Sequence, residues 1–192
     1  MNHNEDGMKI YSRILAISGG TVSLSEKKKV PIVGVLWRNS IIEKCFIKFS
    51  PTDPKPSEIT ENVLSLLEEK YFIEKQVKLV FIFNNILAGL GILDINILQE
   101  KWKTPIIIIT EKEPNEEKIL NLLNELHYSG EYSEAFKKNP KNWEQLDGTR
   151  LFFLGIGLEK KYTIKRIQEF QRVGHLPEPL RIADLIAKAI PQ

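Results

Sequence analysis

The stretch Arg13-Ile14-Leu15-Ala16-Ile17-Ser18-Gly19-Gly20 decides the reading of this chain. A short apolar run closed by two glycines predicts a first strand buried at the centre of a sheet, with its C-terminal end opening into a site. Proteins that alternate strands and helices place their chemistry just beyond such strand ends. Here the strand end carries a hydroxyl and two glycines, and no carboxylate.

Working outward, Val30 to Trp37 reads as a second strand, Arg38-Asn39-Ser40 as a tight turn and Ile41 to Phe49 as a third, alternating strand. Three strands with short connections make an antiparallel meander. Ser50 to Pro56 holds Pro51, Pro54 and Pro56 and must be irregular. Ser57 is the expected N-cap of a helix that turns Ile59, Val63, Leu66 and Leu67 inward and ends near Lys70. Gln76 to Phe83 follows as a buried strand ending in Asn84-Asn85. A helix is expected from about Leu87 to Trp102, with Leu90, Leu93, Ile97 and Leu98 as its core stripe.

Pro105 opens another buried strand, Ile106 to Thr110, and Glu113-Pro114-Asn115 begins a helix with Ile119, Leu122, Leu123 and Leu126 inward. Gly130 to Asp147 reads as short helical pieces, Leu151 to Ile156 as a strand and Glu159 to Arg172 as a basic helix. Pro177 to Ile190 is the last helix, burying Leu180, Leu185 and Ile186. Strands that alternate with helices are joined by right-handed crossovers and run parallel. The expected class is therefore α/β, a mixed sheet of a three-stranded antiparallel meander plus parallel crossover strands, flanked by helices. That is the arrangement of the ribonuclease H-like fold. Residues 1–9 read as a flexible tail and residues 10–192 as one domain.

The net charge of +2 over 192 residues is too small to argue for nucleic acid in bulk, so a basic surface must come from clustering. The clusters are Lys27-Lys28-Lys29, Lys137-Lys138, Lys141, Lys160-Lys161, Lys165, Arg166 and Arg172, interleaved with Tyr132, Phe136, Trp143 and Tyr162. They either hold phosphates and stack on unpaired bases or form a solvated charged face. The one cysteine, Cys45, excludes an intrachain disulfide and suits a reducing compartment; its apolar setting predicts a small buried hydrophobe. No apolar run approaches the ~20 residues of a membrane span, and polar Met1 to Gly7 lacks a signal-peptide core. A cytoplasmic protein with no membrane partner is expected. His3, His127 and His175 have no ligand spacing.

The tail is the most specific stretch: Gly174-His175-Leu176-Pro177-Glu178-Pro179-Leu180-Arg181-Ile182-Ala183-Asp184. It resembles the C-terminal segment of the archaeal endonuclease dU-like family, whose last helix opens on Pro-Glu-Pro-Leu-Arg. Endonuclease V, a ribonuclease H-like nuclease of deaminated bases, carries a similar Leu-Pro-Glu-Pro-x-Arg-x-Ala-Asp stretch. Val33 to Arg38, Ala88 to Asp94 and Pro105 to Pro114 resemble other segments of the family, so the likeness runs from about Ile10 to Ile190.

The resemblance implies a DNA- or RNA-acting endonuclease in which carboxylates at the strand ends hold Mg²⁺ or Mn²⁺. The family's first strand ends in Asp-Asp-Gly, where this chain has Ser18-Gly19-Gly20. Its later Asp-Gly-x-Asp-Ala-Thr is replaced by the proline-rich stretch, and Asn84-Asn85 follows the fourth strand. Asp53 and Glu58 are candidate catalytic and metal ligands, or else a local turn and a helix-start acid. Asp94 is a further metal candidate, or a solvated residue within its helix. Ser18, Gly19 and Gly20 either cradle a phosphate or form a tight turn. With Lys160, Lys161, Lys165 and Arg166 they make the expected nucleic-acid-binding set. Pro177, Glu178, Pro179 and Arg181 carry the family motif, with Glu178 and Arg181 spaced to pair. The expected function is nucleic-acid binding related to deaminated bases, with metal-dependent cleavage weakened or lost. The alternatives are a non-catalytic interaction module and an active endonuclease with relocated carboxylates.

Overall fold

A computed structural model of the chain describes residues 12–20, 29–68, 76–128 and 130–191. The expected tail 1–9, Lys27 and Lys28 lie outside the described residues, as does the side chain of Leu67. The meander forms as expected: β1 (Arg13–Gly19), β2 (Lys29–Arg38) and β3 (Ile41–Pro51) pair antiparallel in sequence order. The β2–β3 turn places Asn39 and Ser40 at φ of 52° and 64°, the mirror-image turn whose twist suits a two-residue hairpin. After α1 (Pro56–Glu68), strand β4 (Val77–Phe83) returns parallel to β1. Strand β7 (Ile106–Thr110) then lies parallel to β4. The order across the seven-stranded sheet is β3-β2-β1-β4-β7-β9-β8, where β8 is Glu144–Gln145 and β9 Phe152–Ile156.

Period-two alternation divides the core. Leu15 and Ile17 of β1, Val80 and Ile82 of β4, and Ile106 and Ile108 of β7 face α1 and helix α2 (Ile95–Trp102), meeting Ile59, Val63, Leu66, Leu98 and Trp102. Their neighbours Ile14, Ala16, Leu79, Phe81, Ile107 and Ile109 face α5 (Lys160–Phe170) and α6 (Glu178–Ala189), meeting Ile167, Leu180, Ala183 and Ala187. β1 is therefore buried on both faces, as its unbroken apolar run requires.

Several expectations need correction. The helix expected from Leu87 begins only at Ile95, with Asp94 as its N-cap accepting from the Ile97 N–H at 3.0 Å. Before it, β5 (Ile86–Leu87) and β6 (Gly91–Ile92) form a small hairpin, because Ala88 and Gly89 take φ of 48° and 87°. Helix α1 starts at Pro56 rather than after a Ser57 cap; the Lys55 N–H donates to Glu58 at 3.1 Å, which closes the first turn from its third residue. β9 runs antiparallel to β7, not parallel. Two helices, α3 (Glu116–Glu125) and α4 (Glu131–Lys138), and β8 intervene, so the chain re-enters the sheet at the end where β7 left it. Cys45 is exposed, since β3 is an edge strand with one face open. Ile97, Leu122, Leu126 and Leu185, expected inside, are exposed, because their helices bury narrower stripes than the apolar pattern suggests.

Candidate functional site

Ser18 shares the face of β1 that carries Ile14 and Ala16, so its side chain points at α6 and is wholly buried. Helix α6 buries Leu180, Ala183 and Ala187 against β1 and β2. That setting of the helix brings Asp184 to the strand end, where the Ser18 hydroxyl donates to Asp184 Oδ1 at 3.2 Å. One turn on, Lys188 donates to Asp184 Oδ2 at 2.6 Å. The same ammonium lies 5.9 Å from the centre of the Phe83 ring, the last residue of β4.

Asp184, Lys188 and Phe83 line a cavity of about 440 Å³ at the C-terminal ends of β1 and β4. Gly19 and Gly20 form part of its wall with Asn84, the β5–β6 hairpin and Lys112 from the loop after β7. A second lobe of about 340 Å³ shares Asn84, Ile86, Gly89 and Lys112 and continues to Lys118, Glu113 and Trp143. The glycines at the end of β1 are needed for packing. A Cβ on Gly19 would lie 3.1 Å from the Ala88 backbone nitrogen, and one on Gly20 would lie 2.9 Å from the Pro31 ring. The Gly20 N–H is itself engaged with the Pro31 carbonyl at 2.8 Å.

The sequence candidates do not all gather here. Asp53 accepts a hydrogen bond from the Tyr128 hydroxyl at 2.9 Å, and its carbonyl accepts from Tyr132 at 3.1 Å. The bond to the Asp53 carboxylate, more than burial, raises the Tyr128 phenol above its ordinary pKa. Burial first, then Tyr128 and Asp53, push Tyr132 up to about 12, so both phenols remain donors to Asp53. Glu58 closes the start of α1 and Asp94 the start of α2; none of the three carboxylates lines either lobe.

The basic set is also divided. Ile156 at the end of β9 pairs with Ile106 at the start of β7, so Lys160 and Lys161, at the start of α5, sit at the sheet end opposite the cavity. Lys160 pairs with Glu144, and Arg166 pairs with Glu169 at 2.6 Å. Lys165, on the next turn of α5, is likewise engaged and does not line the cavity. In the tail motif Pro177 and Pro179 open α6, and Arg181 grips Glu178 through Nε at 2.8 Å and Nη2 at 2.6 Å. The site residues that the reading of the sequence missed are Asp184, Lys188 and Lys112. Asp184 closed the quoted tail motif, and its i,i+4 spacing to Lys188 was visible.

The model of the endonuclease dU family matches residues 11–191. The chain belongs to the endonuclease dU family. The UPF0215 protein of Thermococcus kodakarensis is 24% identical over 187 residues, covering 95% of this chain and 94% of the relative. The fold of this endonuclease dU family member is similar to a crystal structure of an Archaeoglobus fulgidus protein, with a TM-score of 0.77 at 20% identity, covering 92% of this chain and 96% of the other. It is also similar to Ciona intestinalis endonuclease V in complex with inosine-containing DNA, with a TM-score of 0.58 at 12% identity over 92% and 84% of the two chains. The mixed sheet is thus ribonuclease H-like.

Membership of the endonuclease dU family suggests use of a divalent metal. The described residues do not fit one. A hard dication wants six or more oxygens, several of them anionic. In the cavity Asp184 spends one oxygen on Ser18 and the other on Lys188, and Asn84 offers an amide. Among the described residues no group of three or more His, Cys, Asp or Glu side chains gathers to hold an ion.

Proposed function

We propose that the protein binds DNA or RNA at the ends of β1 and β4, in the handling of deaminated bases, with metal-dependent cleavage weakened or lost. One observation carries the reading: the carboxylate at the β1 end faces a hydroxyl and an ammonium where a metal would need further acids. The cavity is of a size that accepts a nucleotide unit, and family membership supplies the nucleic-acid context. Relocated carboxylates gain no support, because Asp53, Glu58 and Asp94 each have a structural partner outside the cavity. The test is incubation of the protein with uracil- or inosine-containing DNA and RNA in Mg²⁺ or Mn²⁺. Salt-sensitive binding without strand scission is expected. Robust turnover abolished by Asp53→Asn or Asp184→Asn would overturn the reading.

A second reading, a non-catalytic interaction module, is favoured by the pairing of basic side chains with acids: Lys141 with Glu116, Lys160 with Glu144 and Arg166 with Glu169. Absence of any salt-sensitive binding to single or double strands would select it.

A further inference from the structure

We infer that the Lys188 ammonium is a built-in substitute for a divalent cation and, with Lys112, makes the cavity a metal-independent site for a phosphate group. The inference rests on the nucleic-acid reading above and narrows it to one subsite. Lys188 is held from two directions: by Asp184 at 2.6 Å, and by the Phe83 ring, whose centre is 5.9 Å away. Both neighbours belong to the strand-end cavity, so the positive charge sits where β1 and β4 deliver a ligand. An ammonium has three N–H donors, and Asp184 takes one.

The charge balance favours an anion. The first lobe sets Lys112 and Lys188 against Asp184; adding Lys118 and Glu113 of the second lobe gives three lysines against two acids. One positive charge is in excess among the described residues of either count. Lys112 lies in the exposed loop after β7 and has no acid partner among the described residues. A metal brought to Asp184 would have to displace Lys188 and would then find a hydroxyl and an amide as its other nearby donors. A phosphate oxygen needs no such displacement, since it accepts the donors that Lys188 retains and those of Lys112. The second lobe, with half-buried Trp143, gives the rest of the nucleotide room beside an aromatic ring.

Three measurements on the full chain separate the possibilities. Inorganic phosphate is followed by ³¹P line broadening in EDTA, a fluorescent single strand of about 20 nucleotides by anisotropy across a salt series, and Mn²⁺ by electron paramagnetic resonance. Phosphate and strand are expected to bind equally well in EDTA and in Mg²⁺. Lys188→Met and Lys112→Met should each weaken strand binding about tenfold and lower the salt slope by about one, whereas Lys188→Arg should retain most of the binding. Lys112 lies outside any helix, so its variant keeps the test alive should Lys188→Met fold poorly. Phosphate binding without strand binding would uphold the subsite and fell the nucleic-acid reading. Strand binding without phosphate binding, or with both lysine variants unaffected, would do the reverse. Mn²⁺ bound by the wild type and lost in Asp184→Asn would overturn the substitution of lysine for metal.

Discussion

Helix α6 carries two carboxylate–cation pairs that serve different ends. Glu178 and Arg181, three residues apart, share two hydrogen bonds of 2.8 and 2.6 Å; Asp184 and Lys188, four apart, share one of 2.6 Å. The first pair matches a planar fork to a carboxylate and lines neither lobe of the cavity. It stiffens the opening of the helix, where Pro177 and Pro179 already fix the backbone. The second pair leaves ammonium donors over a cavity and accepts a buried hydroxyl on its far side. A pair set away from the cavity is architecture, whereas one whose ammonium lines the cavity is a site.

Four substitutions test that division, in descending size of effect. Asp184→Ala should cost about 3 kcal/mol in urea unfolding, because it strands the buried Ser18 hydroxyl and removes the partner of Lys188. Lys188→Met should shift stability by only about 1 kcal/mol, its side chain being 46% exposed, while its tenfold loss appears in ligand binding. Unchanged ligand binding in Lys188→Met would erase the distinction between architecture and site.

Glu178→Gln should cost about 0.5–1 kcal/mol at neutral pH and leave phosphate binding unchanged. Its pH dependence has a definite sign. The hydrogen bond from Arg181 holds the Glu178 carboxyl below the usual carboxylate range. Its contribution is therefore present above the unfolded pKa and lost as pH falls through the depressed folded value. Wild type and variant should converge in strong acid; a gap that persists there would mean the pair is not the source. Lys160→Ala, which breaks an exposed pair with Glu144 at the opposite end of the sheet, should change neither thermal unfolding nor strand binding. Weakened binding would restore the start of α5 as a nucleic-acid surface.

The sheet was largely legible because its strands advertise themselves. Ile106 to Ile109 and Leu79 to Phe83 are apolar without interruption, and the meander is punctuated by Arg38-Asn39-Ser40. The β5–β6 hairpin was not. Leu90, Leu93, Ile97 and Leu98 satisfy a helical spacing, and nothing in an alanine announces the φ of 48° that Ala88 adopts. The antiparallel entry of β9 was hidden for another reason, since strand direction depends on how α3 and α4 carry the chain rather than on the strand's own residues.

The site was half legible. The end of β1 does open on a cavity, and the absence of acids in Ser18-Gly19-Gly20 was readable. Ser18 and its glycines suggest a phosphate cradle or a tight turn, and the three-residue spacing of Glu178 and Arg181 suggests a pair, but no pattern in the tail singles out Asp184. Recognising Asp184 requires two facts together: Ser18 has the parity of Ile14, and Leu180 and Ala183 set the rotation of α6. Neither is a motif. Asp53 in the proline-rich loop and Glu58 at the helix start look like ligands by residue type alone, but each is satisfied structurally, by the Tyr128 hydroxyl and the Lys55 N–H.

The tight fit of Gly19 and Gly20 sets how reversible this surface is. A designer, or a lineage, seeking to rebuild an acidic strand end could place a carboxylate at Ser18, where a side chain already exists. At position 19 any side chain meets the Ala88 backbone, and at 20 it meets the Pro31 ring and the Ala187 carbonyl. A second acid at position 19 would thus require the hairpin to give way as well as a new side chain. The hairpin's close approach to a bare backbone leaves 18, rather than 19 or 20, as the position that takes a new carboxylate with least rearrangement.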